Sequence, residues 1–245
     1  MSDFIFEPHS RAAIIGCTGG IGTAVLNNLI QNKSLQTLYA FSRSGKTYKD
    51  DRIVPGCIDL EDEKTIEQAA SRISEPLDFV FIATGVLHGQ GLEPEKALRD
   101  IDALQLSRSY QINAIGPALI GKHFLPLMNK ERKSVFAALS ARVGSTSDNN
   151  DIGGWYAYRA SKAALNMILK NFSIEMGRKN KNLVITGLQP GTVDTELSKP
   201  FQGFVDENHL FTPEFAASSL LNVLNNLEPK DSGKLYDWQG EEFAP

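Results

Sequence analysis

Near its start the chain reads Gly16-Cys17-Thr18-Gly19-Gly20-Ile21-Gly22. An apolar run, Arg11–Gly16 (RAAIIG), leads into it. A stretch with helical spacing, Gly20–Ile30, follows, marked by Ile21, Val25, Leu26, Leu29 and Ile30. Glycine at 16, 20 and 22 lets the backbone turn tightly and come close to an anion, while the helix start aims free N–H groups and a positive dipole end at it. Its position between a strand and a helix predicts a dinucleotide-phosphate turn, with Gly16, Thr18, Gly19, Gly20, Ile21 and Gly22 as candidate cofactor contacts. The plainer alternative is an ordinary glycine-rich connection. A P-loop is excluded, because no Lys-Ser or Lys-Thr follows the last glycine.

Beyond the turn, apolar runs keep alternating with amphipathic stretches. Strands are predicted at Leu35–Phe41, at Arg52–Ile58 (interrupted or bent near Pro55-Gly56), at Leu77–Ala83, Lys133–Ser140, Asn182–Leu188 and Lys234–Trp238. Helices are predicted at Glu61–Ile73, over most of Leu98–Asn129 with a kink or break at Gly116-Pro117, at Trp155–Arg178, and at Thr212–Asn225 behind a Thr-Pro-Glu cap. Gly191–Phe211 reads as irregular. Continuous apolar strands alternating with helices predict an α/β fold: one Rossmann-type domain over 1–245, a doubly wound parallel sheet of about seven strands with helices on both faces. Ligands of such sheets bind at the carboxyl ends of the strands, so residues just after strands carry the functional interest.

The 245 residues, 42% hydrophobic and 22% charged, suffice for one large core. A formal net charge of −4 supplies no basic field for nucleic acid. Cys17 and Cys57 form neither a disulfide framework nor a zinc motif. The four histidines, His9, His88, His123 and His209, show no metal-ligand spacing, so no metal is expected. No apolar run has the length of a membrane span, and the first residues, with Asp3 and Glu7, lack the form of a signal peptide. The expected location is the cytoplasm.

An NAD enzyme often ends its second strand in a carboxylate that holds the ribose hydroxyls. Here that strand ends Phe41-Ser42-Arg43-Ser44. Arg43 can pair with a 2′-phosphate and Ser42 and Ser44 can donate to it, which predicts NADP(H). Lys46 is a further candidate. Asp59, with Leu60 after the third strand, is a candidate for the adenine side. A helix N-terminal acid is the other reading of Asp59.

Tyr158 and Lys162 stand four apart near the start of a long predicted helix. Such residues share a face, with Cβ atoms roughly 5–6 Å apart. An ammonium beside a phenol favours phenolate, and the pair then suits proton transfer at a carbonyl during hydride chemistry. Lys162 can also hold the nicotinamide ribose. A Tyr-Lys spacing alone is common, and its weight here comes from the nucleotide turn upstream and the strand downstream.

Taken together, Gly16-x-x-x-Gly20-x-Gly22, Asn113 within YQINAIGP, Tyr158-x-x-x-Lys162 and Pro190-Gly191-x-x-x-Thr195 resemble the short-chain dehydrogenase/reductase family over essentially the whole chain. LSARVGS…GGWYAYRASKAALN, from Leu139 to Asn166, is most similar to the C-factor and sniffer-type carbonyl reductase branch. The resemblance implies a carbonyl or secondary alcohol substrate and reversible hydride transfer with Tyr158 as proton donor and acceptor. It also implies a water held at Asn113, served by carbonyls freed near Gly116-Pro117, and nicotinamide contacts from Pro190, Gly191, Val193 and Thr195. A homodimer or homotetramer formed through the Leu98–Asn129 and Trp155–Arg178 helices is a further implication.

Two departures stand out. The family's Asn-Asn-Ala-Gly after the fourth strand becomes Ala83-Thr84-Gly85-Val86, still expected to line the cofactor through Ala83, Thr84 and Gly85. The family's serine, three residues before Gly144, is Ala141. Ser140 is the provisional polarising hydroxyl and Ser145 the second candidate, and side chains alternate direction along a strand, so Ser140 reaches the substrate only if the strand has ended or bulged. Asp148-Asn149-Asn150-Asp151 reads as a solvated turn that rims the mouth of the site. Trp155 and Tyr156 form either an aromatic wall for the substrate or part of the packing. The segment 192–211, with Phe201, Phe204, Leu210 and Phe211, is either a short lid over the cofactor or apolar packing on the sheet. Alongside the oxidoreductase stands another reading, a cofactor-binding signalling or regulatory protein with little or no turnover, for which the missing serine speaks.

Overall fold

The first strand explains the layering. In β1 (Ser10–Ile15) Ala12 and Ile14 join one apolar cluster, while Ala13 and Ile15 join another on the opposite face. Apolar on both sides, such a strand needs a helical layer over each. The computed structural model, which describes residues 4–89, 91–149, 153–204, 206 and 209–245, supplies both layers.

Helix α1 (Gly20–Leu29) follows β1 and buries Val25, Leu26 and Leu29 in the first cluster. β2 (Leu35–Ser42) and β3 (Ile53–Cys57) continue the sheet. α2 (Glu63–Ser71), capped by Asp62 accepting from the Lys64 N–H, places Ile66 in the second cluster. After β4 (Phe79–Ile82) come α3 (Ala103–Tyr110), a π-helical stretch Gln111–Ile115, and α4 (Gly116–Phe124). β5 (Ser134–Leu139), the 21-residue α5 (Tyr156–Met176) and β6 (Leu183–Gln189) follow. A small two-stranded sheet joins β7 (Thr192–Val193) to β8 (Leu210–Phe211). α6 (Pro213–Asn226), β9 (Leu235–Asp237) and β10 (Glu242–Phe243) complete the chain.

The large sheet runs β10-β9-β6-β5-β4-β1-β2-β3, parallel except for the β9–β10 pair. α1 and α6 cover one face; α2, α4 and α5 cover the other. Phe41, Phe79, Phe81 and Phe136 are fully buried, and each such side chain stabilises the fold by about 1.5–3 kcal/mol. Strand order reverses between β1 and β4, and the crevice opens at their carboxyl ends.

The sheet has eight strands rather than about seven, because the two-residue β10 adds itself to β9. β3 is not interrupted: it pairs with β2 from Ile53 to Cys57, and Pro55 is accommodated because β3 is an edge strand. The long helical region is broken as Gly116-Pro117 implied. Pro117 lies in the first turn of α4, and the π-helical stretch forms immediately before it. Within 192–211, read as irregular, the β7–β8 pair and a 3₁₀ segment at Lys199–Phe204 give order. Asn150 and Asp151 of the predicted turn, and Val205, Glu207, Asn208 and the Phe204 side chain of the predicted lid, lie outside the described residues. Among the described residues no helix is long and apolar enough to cross a membrane, and no group of three or more His, Cys, Asp or Glu side chains could hold a metal ion.

Candidate active site

Two adjoining cavities, about 680 and 350 Å³, open at the carboxyl edge of the sheet and share Thr18, Gly19, Ala83, Thr84 and Gly85. The smaller lies over the β1, β2 and β3 ends. Gly16, Ser42, Arg43, Asp59 and Leu60 line it. The larger lies over β5 and β6. Gly20, Ile21, Ser140, Tyr158, Lys162, Pro190, Gly191, Val193 and Thr195 line it. Of the predicted site residues, Gly22 and Asn113 line neither cavity.

The glycine turn is packed too tightly against its own chain to carry side chains at 16, 20 and 22. Gly16 has φ +88°, and a Cβ there would lie 3.1 Å from the Ala83 carbonyl carbon and 2.9 Å from Thr84 Cγ2. A Cβ on Gly20 would lie 2.6 Å from Thr195 Cγ2, and one on Gly22 would strike the Gly16 carbonyl. Gly19 offers α1 no side-chain cap, and the first turn has no acidic residue. The N–H groups at that helix start are thus left for an external anion. Beside them Thr84 Oγ1 is buried with no hydrogen-bond partner among the described residues. Arg43 is exposed on the rim, and the Ser42 and Ser44 hydroxyls meet at 3.3 Å. This donor set, with no carboxylate at the β2 end, fits a dinucleotide bearing a further phosphate. Asp59 lines the cavity and its Oδ1 accepts from the Glu61 N–H ahead of α2, whose own cap is Asp62. Lys46 lies off the cavity with its ammonium 5.7 Å from the Tyr48 ring.

α5 brings Tyr158 and Lys162 to the larger cavity. Lys162 Nζ lies 5.7 Å from the Tyr158 ring centroid and donates to the Leu139 carbonyl at 2.8 Å. The lysine is 2% exposed. Burial pushes the Tyr158 phenol up to about 12 and the Lys162 ammonium down to about 8. This corrects the sequence expectation of a lowered tyrosine. Desolvation disfavours the charge on both groups. Tyr158 therefore keeps its proton at neutral pH.

Asn113 sits in the π-helical stretch, fully buried. Its Oδ1 accepts from the Val86 N–H and its Nδ2 donates to the Val86 carbonyl, both at 2.9 Å, with the Ser161 hydroxyl 3.1 Å away. The side chain thus fixes the turn after β4. Pro117, lacking an N–H, cannot close an α-helical bond to the Asn113 carbonyl, so the backbone rather than the amide is what a water could use. A Cβ on Gly85 would lie 3.6 Å from both Asn113 Oδ1 and Lys162 Nζ, which places these groups around one point.

Ser140 lines the cavity one residue past the end of β5, with its N–H donating to the Leu188 carbonyl at 2.8 Å. Its Oγ donates to Asn166 Oδ1 at 2.6 Å, so the hydroxyl hydrogen is held by α5. Ser145 lies off the cavity and accepts from the Asp148 N–H. Ala141 occupies the lining between Ser140 and Arg142. Ser140, the provisional polarising hydroxyl, thus reaches the lining with its hydrogen donated to Asn166 rather than to the cavity.

Trp155 lines the cavity and Tyr156 does not. The Trp155 ring meets Phe201 edge-on at 5.0 Å. His88 reaches across to the Glu196 carbonyl at 2.8 Å. Thr192, Val193, Thr195, Leu197 and Phe201 line the cavity, while Phe211 packs on Trp238 at 4.5 Å. Two residues escaped the sequence reading. Arg142 lines the cavity while bonded to Asp237 at 2.9 Å and Asp148 at 3.4 Å, and nothing local signals those partners. Glu95 holds the start of α5; the signal was the absence of a Ser, Thr, Asp or Asn before that helix.

A doubly wound sheet with a nucleotide turn and a Tyr-Lys pair facing one crevice defines a nucleotide-dependent oxidoreductase architecture. The comparisons agree. The model of the short chain dehydrogenases matches residues 10–204, and the chain belongs to that family. It is 36% identical over 191 residues to 1-hydroxy-2-glutathionyl-2-methyl-3-butene dehydrogenase of Rhodococcus sp. (strain AD45), covering 77% of this chain and 78% of that one. It is 35% identical over 146 residues to the C-signal of Myxococcus xanthus, covering 60% and 82% respectively. In fold it is similar to carbonyl reductase Sniffer of D. melanogaster, with TM-score 0.83 and 21% identity over 98% of this chain and 100% of that one.

Proposed function

We propose that this chain is an NADP(H)-dependent oxidoreductase that interconverts a carbonyl and a secondary alcohol. The observation that carries this reading is that Tyr158 and Lys162 line the cavity that also contains the glycine-turn residues Gly19, Gly20 and Ile21. Gly16 through Ile21, with Thr84, cradle the cofactor phosphates, and Arg43 with Ser42 holds the 2′-phosphate. Pro190, Gly191, Val193 and Thr195 hold the nicotinamide end. What a bound NADP(H) supplies is the hydride.

The residues of the chain supply the rest. Tyr158, protonated at neutral pH, donates its phenolic proton to the carbonyl oxygen and takes it back in the reverse direction. Lys162, fixed by the Leu139 carbonyl, places positive charge beside the phenolate that donation leaves. Asn113 keeps the turn at Gly85 and Val86 packed against that ammonium. Ser140, committed to Asn166, ties β5 to α5. Trp155, Leu87, Val143, Leu197 and Phe201 make the substrate side apolar and exclude water. Leu104, Met167 and Ile174, exposed on α3 and α5, support the self-association that the family resemblance implies.

The test is NADPH oxidation with a panel of aldehydes, ketones and quinones, comparing wild type with Tyr158→Phe after cofactor binding is confirmed in both. A loss of kcat of about 10²–10⁴-fold with NADPH affinity retained supports the mechanism. An unchanged rate removes Tyr158 from it. The regulatory reading draws on Ala141 and on the likeness to the C-signal, and absence of turnover by both proteins would favour it.

A further inference from the structure

Helix α5 carries both members of the Tyr-Lys pair, yet it begins without a cap of its own. Gly153, Gly154 and Trp155 all have left-handed backbones, with φ +60°, +67° and +49°, and the Trp155 side chain caps nothing. For tryptophan this conformation is strained, and something outside the helix must hold it. Glu95 does so, from the loop between β4 and α3. Its carbonyl accepts from the Trp155 N–H at 2.7 Å. Its carboxylate accepts from the Ala157 N–H at 3.2 and 3.4 Å to the two oxygens.

The carboxylate is 2% exposed. A buried carboxylate is costly unless compensated, and among the described residues no Lys, Arg or His forms a salt bridge with it. Its compensation is the helix itself, through the Ala157 N–H and the positive end of the dipole. The two groups it grips bracket the working face. Ala157 directly precedes Tyr158, and the Trp155 ring stands 6.4 Å from the Tyr158 ring and 5.0 Å from that of Phe201.

We propose that Glu95 is a positioning residue for the reaction: through the Trp155 and Ala157 peptide groups it fixes the first turn of α5, and so sets where the Tyr158 phenol and the Trp155 wall stand. Glu95 itself lines neither cavity. The proposal rests on the reading of Tyr158 as the proton donor, so its test includes a measurement independent of turnover.

Wild type, Glu95→Ala, Glu95→Gln, Glu95→Asp and Tyr158→Phe are compared as full chains by steady-state NADPH oxidation and by amide hydrogen exchange of residues 153–160. Glu95→Ala lowers kcat by about 10- to 100-fold, as a displaced donor does, while the KM for NADPH stays within about twofold. Glu95→Gln returns kcat to within about threefold of wild type, because the amide oxygen still accepts from Ala157. First-turn exchange in Glu95→Ala accelerates at least about tenfold. Should Glu95→Ala fail to fold, Glu95→Asp, whose shorter arm cannot reach Ala157, shows the same loss of kcat. The proposal is overturned if the shortened variant keeps wild-type kcat and first-turn exchange, if kcat and the KM for NADPH worsen together, or if Gln is as damaging as Ala. If Tyr158→Phe is fully active while Glu95→Ala still loosens the first turn, the tyrosine mechanism falls and the anchoring of α5 by Glu95 stands.

Discussion

Asn113 and Val86 are joined twice, amide oxygen to peptide N–H and amide nitrogen to peptide carbonyl, each at 2.9 Å. Asparagine thereby substitutes for a missing strand neighbour at the point where β4 gives way to the site. Asn113→Ala leaves a half-buried N–H and carbonyl of Val86 without their side-chain partner and also removes a donor facing the Ser161 hydroxyl. The expected loss is about 1–3 kcal/mol in urea unfolding, with kcat reduced as the Gly85 turn loosens. A loss under about 1 kcal/mol would show that the turn holds itself.

Lys162 carries a cost that the fold bears for the site. Its folded value lies near 8 against 10.5 for a solvated lysine, from burial. Below about pH 8 the folded chain must hold a buried charge, and this penalty is relieved as pH rises from about 8 toward 10.5, where the unfolded chain binds the proton and the folded chain does not. The stability of wild type relative to Lys162→Met should therefore rise by about 2–3 kcal/mol between pH 7 and pH 10. Urea unfolding of both proteins across that range checks it, and parallel curves would show an ammonium that is not desolvated. The variant should also lose most of its NADPH oxidation.

Arg43→Ala addresses the cofactor. Charge-assisted hydrogen bonds contribute about 1.5–3 kcal/mol, so the KM for NADPH should rise about 10- to 100-fold while that for NADH moves less than about threefold. Equal changes for both would place Arg43 away from the 2′-phosphate.

Ser140 and Ala141 predict opposite outcomes. Ser140→Ala breaks the bond to Asn166, whose Nδ2 already lacks a partner among the described residues, and should cost about 1–2 kcal/mol of stability with kcat within about threefold. Ala141→Ser puts a hydroxyl on the cavity lining and should raise kcat about tenfold, short of the full effect of a native donor. A large loss of kcat in Ser140→Ala would return the polarising role to Ser140.

What the sequence revealed was what local chemistry determines. The glycine turn is a backbone requirement written in consecutive residues. Tyr158 and Lys162 share a helix face by spacing alone, and Arg43 is placed by the end of a strand. The missed features depend on distant partners. The Ser140 hydroxyl is turned by Asn166 on another element, Ala157 is held by a carboxylate 62 residues earlier, and Arg142 finds Asp237 95 residues on. The direction of the Tyr158 shift follows from burial, which helix spacing does not report. Pro55 resembled an interruption because a strand's place in its sheet is invisible locally, and β10 is too short to carry a pattern.

That position of Pro55 bears on how the molecule behaves in a crowded solution. The outermost strand on one side lacks a peptide donor at Pro55, whose carbonyl is already taken by Arg72 at 3.1 Å. The opposite margin is a strand of only two residues. Neither border presents a ladder long enough for a stray chain to zip onto, so the sheet is a poor seed for fibrils.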